Sequence, residues 1–148
     1  MEIDILKYLT LSIEKLKEVT PYWAIGENTE YLLNSELHPQ NGTFIFCMVN
    51  PKDLIVNAYF QEVNTKKLFT GDPINDLRIS MILKAWESKK FIDPPSICYS
   101  KHNNCIYFYD GRHRTKLAYF LDIKKMPVAI YKEDIKQIKQ LLASCYVL

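Results

Sequence analysis

Apolar residues recur along this chain in two rhythms, and the switches between them mark its elements. Over residues 4–19, Leu6, Leu9, Ile13 and Leu16 fall at spacings of three and four. That is the period of a helix with one buried stripe, and Asp4 stands where a capping residue would. Pro21 ends the segment, and a short helix is expected within 29–37, before a loop at 38–42. Residues 43–49 are β-branched and aromatic, as in a buried strand. Residues 50–53 predict a turn, 54–56 a brief strand or helical turn, and 57–75 give no clear rhythm. A second helix is expected over 77–90, with Leu77, Met81, Ile82, Ala85 and Trp86 on one face and Asp76 near its start. Then come a strand at 96–100, a hairpin tip at 101–104, a strand at 105–109, a helix at 112–121, a strand at 126–131 and a closing helix at 133–143. This order predicts an α/β (α+β) domain with a small mixed sheet and flanking helices. One domain is expected over 1–148: an N-terminal helical extension (1–43), a core (44–131) and a C-terminal helix (132–148).

Composition narrows the classes of function. Of the 148 residues, 48% are hydrophobic and 24% charged, the balance of a globular domain able to bury one core. A net charge of +2 does not provide the broad basic surface typical of nucleic-acid binders. No apolar run is long enough to span a membrane, and the first residues lack a signal-peptide pattern, so a cytoplasmic location is expected. Cys47, Cys98, Cys105 and Cys145 show no CxxC spacing, which argues against a zinc site or redox dithiol. If the hairpin tip is 101–104, Ser100 faces Cys105 and Cys98 lies diagonal to it. Diagonal positions are about 7–8 Å apart, too far for a disulfide, so free thiols are expected.

Candidate chemistry concentrates where the extended run Ile106-Tyr107-Phe108-Tyr109 meets Asp110-Gly111-Arg112-His113-Arg114-Thr115 and a helix begins. The first amides of a helix lack intrahelical partners, and the helix dipole adds positive potential there. Two arginines and a histidine in the first turn oppose that dipole, so a negative group must compensate, either a phosphate or a carboxylate. By helical spacing Arg114 shares the core-facing stripe of Leu117, Ala118 and Leu121, whereas Arg112, Lys116 and Tyr119 fall on a more exposed one. Arg114 therefore either grips a phosphate or pairs with Asp110 to tie helix to sheet. His113 has the pKa range of an acid, a base or a phosphate contact, and Asp110 is either a cap or a ligand for a phosphate-bridging metal. Between the two arginines, Arg114 is expected to matter more.

Several of these segments together resemble the ParB N-terminal/sulfiredoxin superfamily. They are Pro94-Pro95-Ser96-Ile97, the run 106–114, Leu117-Ala118 and Met126-Pro127-Val128, with Val49 to Asn57 similar to the domain's opening strand segment. The resemblance covers 94–131 well, 47–93 less closely and 1–43 not at all. It implies a phosphate-cradling turn at Gly111, His113 and Arg114, flanked by Arg112 and Thr115, and a nucleoside triphosphate (ATP or CTP) as ligand, with Mg2+. In sulfiredoxins the catalytic cysteine stands where this chain has Arg112, so that chemistry is not expected. ParB proteins continue into a helix-turn-helix domain, whereas about one helix follows Tyr131 here, so DNA is not expected to be read by such a motif. A related serine kinase uses an upstream glutamate as base, and Glu62 is the nearest equivalent. The leading expectation is nucleotide binding, with NTP hydrolysis in a DNA-, plasmid- or phage-related role through Asp110, His113 and Glu62. A ParB-like nuclease and a non-catalytic immunity or inhibitor protein with a protein partner are the alternatives.

Overall fold

The computed structural model describes residues 5–148, so the capping role expected for Asp4 lies outside the described residues. A six-stranded mixed sheet forms the centre: β1 (Phe44–Val49), β2 (Ala58–Tyr59), β3 (Ser96–Ser100), β4 (Cys105–Asp110), β5 (Met126–Tyr131) and β6 (Tyr146–Val147). The spatial order is β2-β4-β3-β5-β1-β6. β3 runs parallel to β5 and antiparallel to β4, while β1 is antiparallel to both β5 and β6. Ser100 pairs with Cys105 and Cys98 with Tyr107, as the hairpin register required, and all four cysteines are free. The fold is therefore α+β with flanking helices.

Among the described residues six α-helices surround the sheet: α1 (Ile5–Leu9), α2 (Ile13–Leu16), α3 (Pro51–Asn57), α4 (Pro73–Glu87), α5 (Arg112–Phe120) and α6 (Ile135–Leu141). Several differ from expectation for identifiable local reasons. The single helix expected over 4–19 is broken after Leu9, because the Thr10 hydroxyl donates to the carbonyls of Leu6 and Lys7 and Ser12 caps a new start at Ile13, its hydroxyl accepting from the Lys15 amide. The helix expected within 29–37 is two 3-10 segments, Gly26–Tyr31 and Ser35–Leu37. The turn expected at 50–53 is instead the start of α3, with Asn50 capping Lys52 and Pro51 in the first turn. α4 likewise starts earlier than expected, at Pro73 behind the Asp72 cap. The C-terminal segment is not all helix, since Tyr146 and Val147 add β6 to the edge of β1.

Two apolar clusters hold these layers together. Cys47, Val49, Leu54, Ile97, Ile106, Val128, Ile130, Ile138 and Leu142 join the sheet to α3 and α6. Tyr8, Leu16, Ile79, Leu83, Trp86 and Leu121 join α4 to the N-terminal helices. α5 lies between them: Ala118 belongs to the first cluster and Leu117 to the second. Each fully buried aliphatic side chain contributes about 1.5–3 kcal/mol relative to exposure. A helix wedged between two cores buries more than one stripe, and this determines what α5 presents to the site. α4 buries only part of the face expected, keeping Trp86 but adding Ile79 and Leu83 to it. Ile79, Leu83 and Trp86 are buried, while Leu77 and Met81 remain exposed.

Candidate functional site

The strand-to-helix junction is built around Gly111. It caps α5 with φ of +104°, a left-handed conformation that side chains disfavour, and a Cβ placed there would lie 2.6 Å from Cα and Cβ of Pro95. The chain can therefore turn from β4 into α5 at this spot with glycine alone. Thr115 faces inward, where its hydroxyl donates to the Gly111 carbonyl at 2.9 Å. It is fully buried and braces the turn rather than facing the groove.

The three basic residues of the turn have different surroundings. Arg114 reaches back to the sheet. Its Nη2 donates to Asp110 Oδ2 at 2.6 Å and its Nη1 to the Asp93 carbonyl at 2.8 Å, with the side chain 17% exposed. The other oxygen of Asp110 accepts from the Gly111 amide at 2.9 Å. Arg114 and Asp110 therefore satisfy each other and tie α5 to β4, the second of the two roles open to Arg114 from the sequence. Arg112 points the opposite way, with Nη1 donating to Gln61 Oε1 at 2.6 Å. Gln61 itself has φ of +51°, a strained backbone for a non-glycine residue, and such strain concentrates at functional sites.

Arg112 and His113 open onto a cleft of about 480 Å³ whose walls include Tyr59, Gln61, Glu62, Asn75 and Arg78. The cleft thus brings Glu62, from the segment with no clear rhythm, to the basic turn. Behind its floor lies the largest departure from expectation. Lys116, assigned by helical spacing to an exposed stripe, is 0% exposed, because α5 packs against both α3 and α4. Its Nζ donates to Asn75 Oδ1 at 2.7 Å. Asn75 in turn donates to Asp76 Oδ1 at 2.9 Å and to the Leu68 carbonyl. Asp76 accepts from the amides of Thr70 and Gly71 as well, so the loop before α4 already engages its carboxylate.

The electrostatics of the cleft follow. Arg78 makes no ion pair among the described residues, and no carboxylate stands within ion-pair reach of Lys116 or Arg112. Burial, followed by the charges of Arg78, Lys116 and Arg112, pushes the His113 pKa down from 6.5 to about 4; Asp72 opposes this weakly. Burial also lowers Lys116 to about 8, with Asp76 partly opposing. Arg78, Lys116 and Arg112 therefore act on a neutral histidine without an ion pair of their own among the described residues, with Glu62 and Asp72 the carboxylates that line the same cleft. Arg78, Lys116, Asn75 and Gln61 escaped the sequence reading. Only the Asp72-Pro73 helix start near Asn75 carried a local signal, and the rest depends on how α4 and α5 meet.

Among the described residues no group of three His, Cys, Asp or Glu is arranged to hold a metal. None of the described helices is long and apolar enough to cross a membrane. Comparison of the chain with known protein families, with curated proteins and with solved structures found no match. The class that the structure defines is an α+β domain with a mixed six-stranded sheet and a cation-lined cleft at one strand-to-helix turn.

Proposed function

We propose that this protein binds a nucleotide through its phosphates in the cleft between α4, α5 and the segment after β2. The single observation behind this reading is the convergence of Arg78, Arg112 and Lys116 on neutral His113 with no ion pair to any of the three among the described residues. Cations without ion pairs around a partly buried cleft cost folding energy, and an anion recovers it, with less screening by water than at an open surface. The resemblance to the ParB/sulfiredoxin superfamily points to the same ligand class, with ATP or CTP as the candidates. Arg112, held by Gln61, and Arg78 take the phosphate oxygens in this reading, and Lys116 supplies charge from beneath through Asn75. Arg114 acts indirectly by fixing the turn.

Hydrolysis would use the neutral imidazole of His113, which at pH 7 can accept a proton, and Glu62 on the cleft wall. A divalent ion would arrive on the phosphates themselves, with water completing its shell and Asp110 the nearest carboxylate of the turn. The test is calorimetric titration of ATP and CTP, with and without magnesium, into wild type and the Arg78→Ala/Arg112→Ala variant. Binding by wild type and its loss in the variant, with both proteins equally stable, is the expected result. Equal binding by both proteins would remove this reading.

A further inference from the structure

The cleft does not end at the basic turn. It passes along the exposed flank of α4 through a smaller cavity of about 190 Å³, which shares Arg78, Arg112 and His113 with it. That cavity in turn shares Met81, Ile82, Asp110 and Arg114 with a third space of about 650 Å³ beside it. The groove changes character along its length. The first part is polar, whereas the far end is walled by Leu33, Met81, Ile82, Ala85 and Ile92.

Leu33 is the unusual member, 93% exposed and yet fixed in place. Its amide donates to one carboxylate oxygen of Asp93 at 2.8 Å, and the Asn34 amide donates to the other at 2.9 Å. Met81 on the facing helix is 50% exposed. Two exposed apolar side chains thus line one cavity, the composition of a pocket that a ligand's apolar body would close.

We infer that this far end is a nucleoside site, in which Leu33 and Met81 sandwich the base while the phosphates run back to Arg112 and Arg78. The inference rests on the phosphate reading above, and it assigns the base to the α4 flank rather than to Tyr59 at the opposite end of the groove. Asp110 and Arg114 lie where the two parts meet. Asp110, whose side chain is 70% exposed, offers the base edge a carboxylate acceptor, and Arg114 holds that carboxylate in place. Leu33 comes from the N-terminal segment that has no counterpart in the superfamily resembled, so base binding is a property of this chain's own extension.

The experiment compares ATP with tripolyphosphate, which carries the charge without the nucleoside. Wild type should bind ATP about tenfold or more tightly than tripolyphosphate. In the Leu33→Ser/Met81→Ser variant that advantage should vanish while tripolyphosphate affinity stays within about twofold; both positions are exposed and neutral, so folding and phosphate charge are undisturbed. If the variant keeps the full advantage, the nucleoside site is wrong. If instead Tyr59→Ala abolishes the advantage, the base lies at the other end and the inference is overturned. Failure of wild type to bind tripolyphosphate at all would remove the phosphate reading itself, and the nucleoside site with it.

Discussion

Arg112 and Arg114 are two positions apart on one helix and face opposite ends of its chemistry. Arg114 is engaged by Asp110 and by the Asp93 carbonyl, so Arg114→Ala leaves acceptors without their donor in a partly covered site. A loss of about 1–3 kcal/mol is expected, read as a lower urea midpoint with unchanged slope. Arg112→Ala and Arg78→Ala should shift that midpoint by less than about 0.5 kcal/mol and act on ligand affinity instead. The reverse pattern would restore Arg114 as the phosphate contact. His113 adds a pH signature. Its folded pKa lies below its ordinary value, so between 6.5 and about 4 the unfolded chain binds the extra proton. Stability present above pH 6.5 is therefore lost as the pH falls through that window, and His113→Phe should flatten the loss. A bound phosphate would offset the field of Arg78, Lys116 and Arg112 and raise the His113 pKa, which proton NMR of the imidazole can follow. An unchanged value at saturating ATP would exclude an anion beside it.

At the scale of elements, β4, Gly111 and α5 form one device. The turn requires positive φ and a close approach to Pro95 at the same residue, so Gly111→Ala meets both backbone strain and a 2.6 Å clash. Because Pro95 backbone cannot yield as a flexible side chain would, a destabilisation of about 2 kcal/mol or more is expected by thermal melting. A change below about 0.5 kcal/mol would mean that the turn is more pliable than its geometry states. This junction was the part of the site legible in the sequence, since the change of rhythm at Gly111 and the run of basic residues are both local. α3 and β6 were less legible. Asn50-Pro51 suits a turn and a helix start equally, and Tyr146-Val147 becomes a strand only because the edge of β1 is there to pair with.

The whole molecule determines the fate of Lys116. It links α5 through Asn75 to α4, and through Asp76 to the loop at 70–71, with its charge buried. Lys116→Met removes a desolvated cation from an otherwise packed site. It also leaves Asn75 Oδ1 without its donor, so the two effects oppose each other and the melting temperature should move by no more than about 2–4 °C, while phosphate affinity falls. A variant that loses stability and keeps affinity would make Lys116 a purely structural residue. The same packing explains the limits of sequence reading here. Periodicity along one helix identifies a single buried stripe, and α5, which lies between two cores, has more than one. For α4 it identified an apolar face of which Leu77 and Met81 remain exposed.

Local chemistry alone determined the α+β class, the hairpin register, the free state of the thiols and the site of the basic turn. These follow from short-range sterics, turn preference and hydrophobic period, which act within a few residues. Tertiary structure decided which cation is paired and which is left open. Ion pairing, burial and pKa depend on groups such as Asp93, Asn75 and Gln61, brought to α5 from 21, 41 and 51 residues away. Their distances are set when the sheet, α4 and α5 close on one another, and no window of sequence contains them.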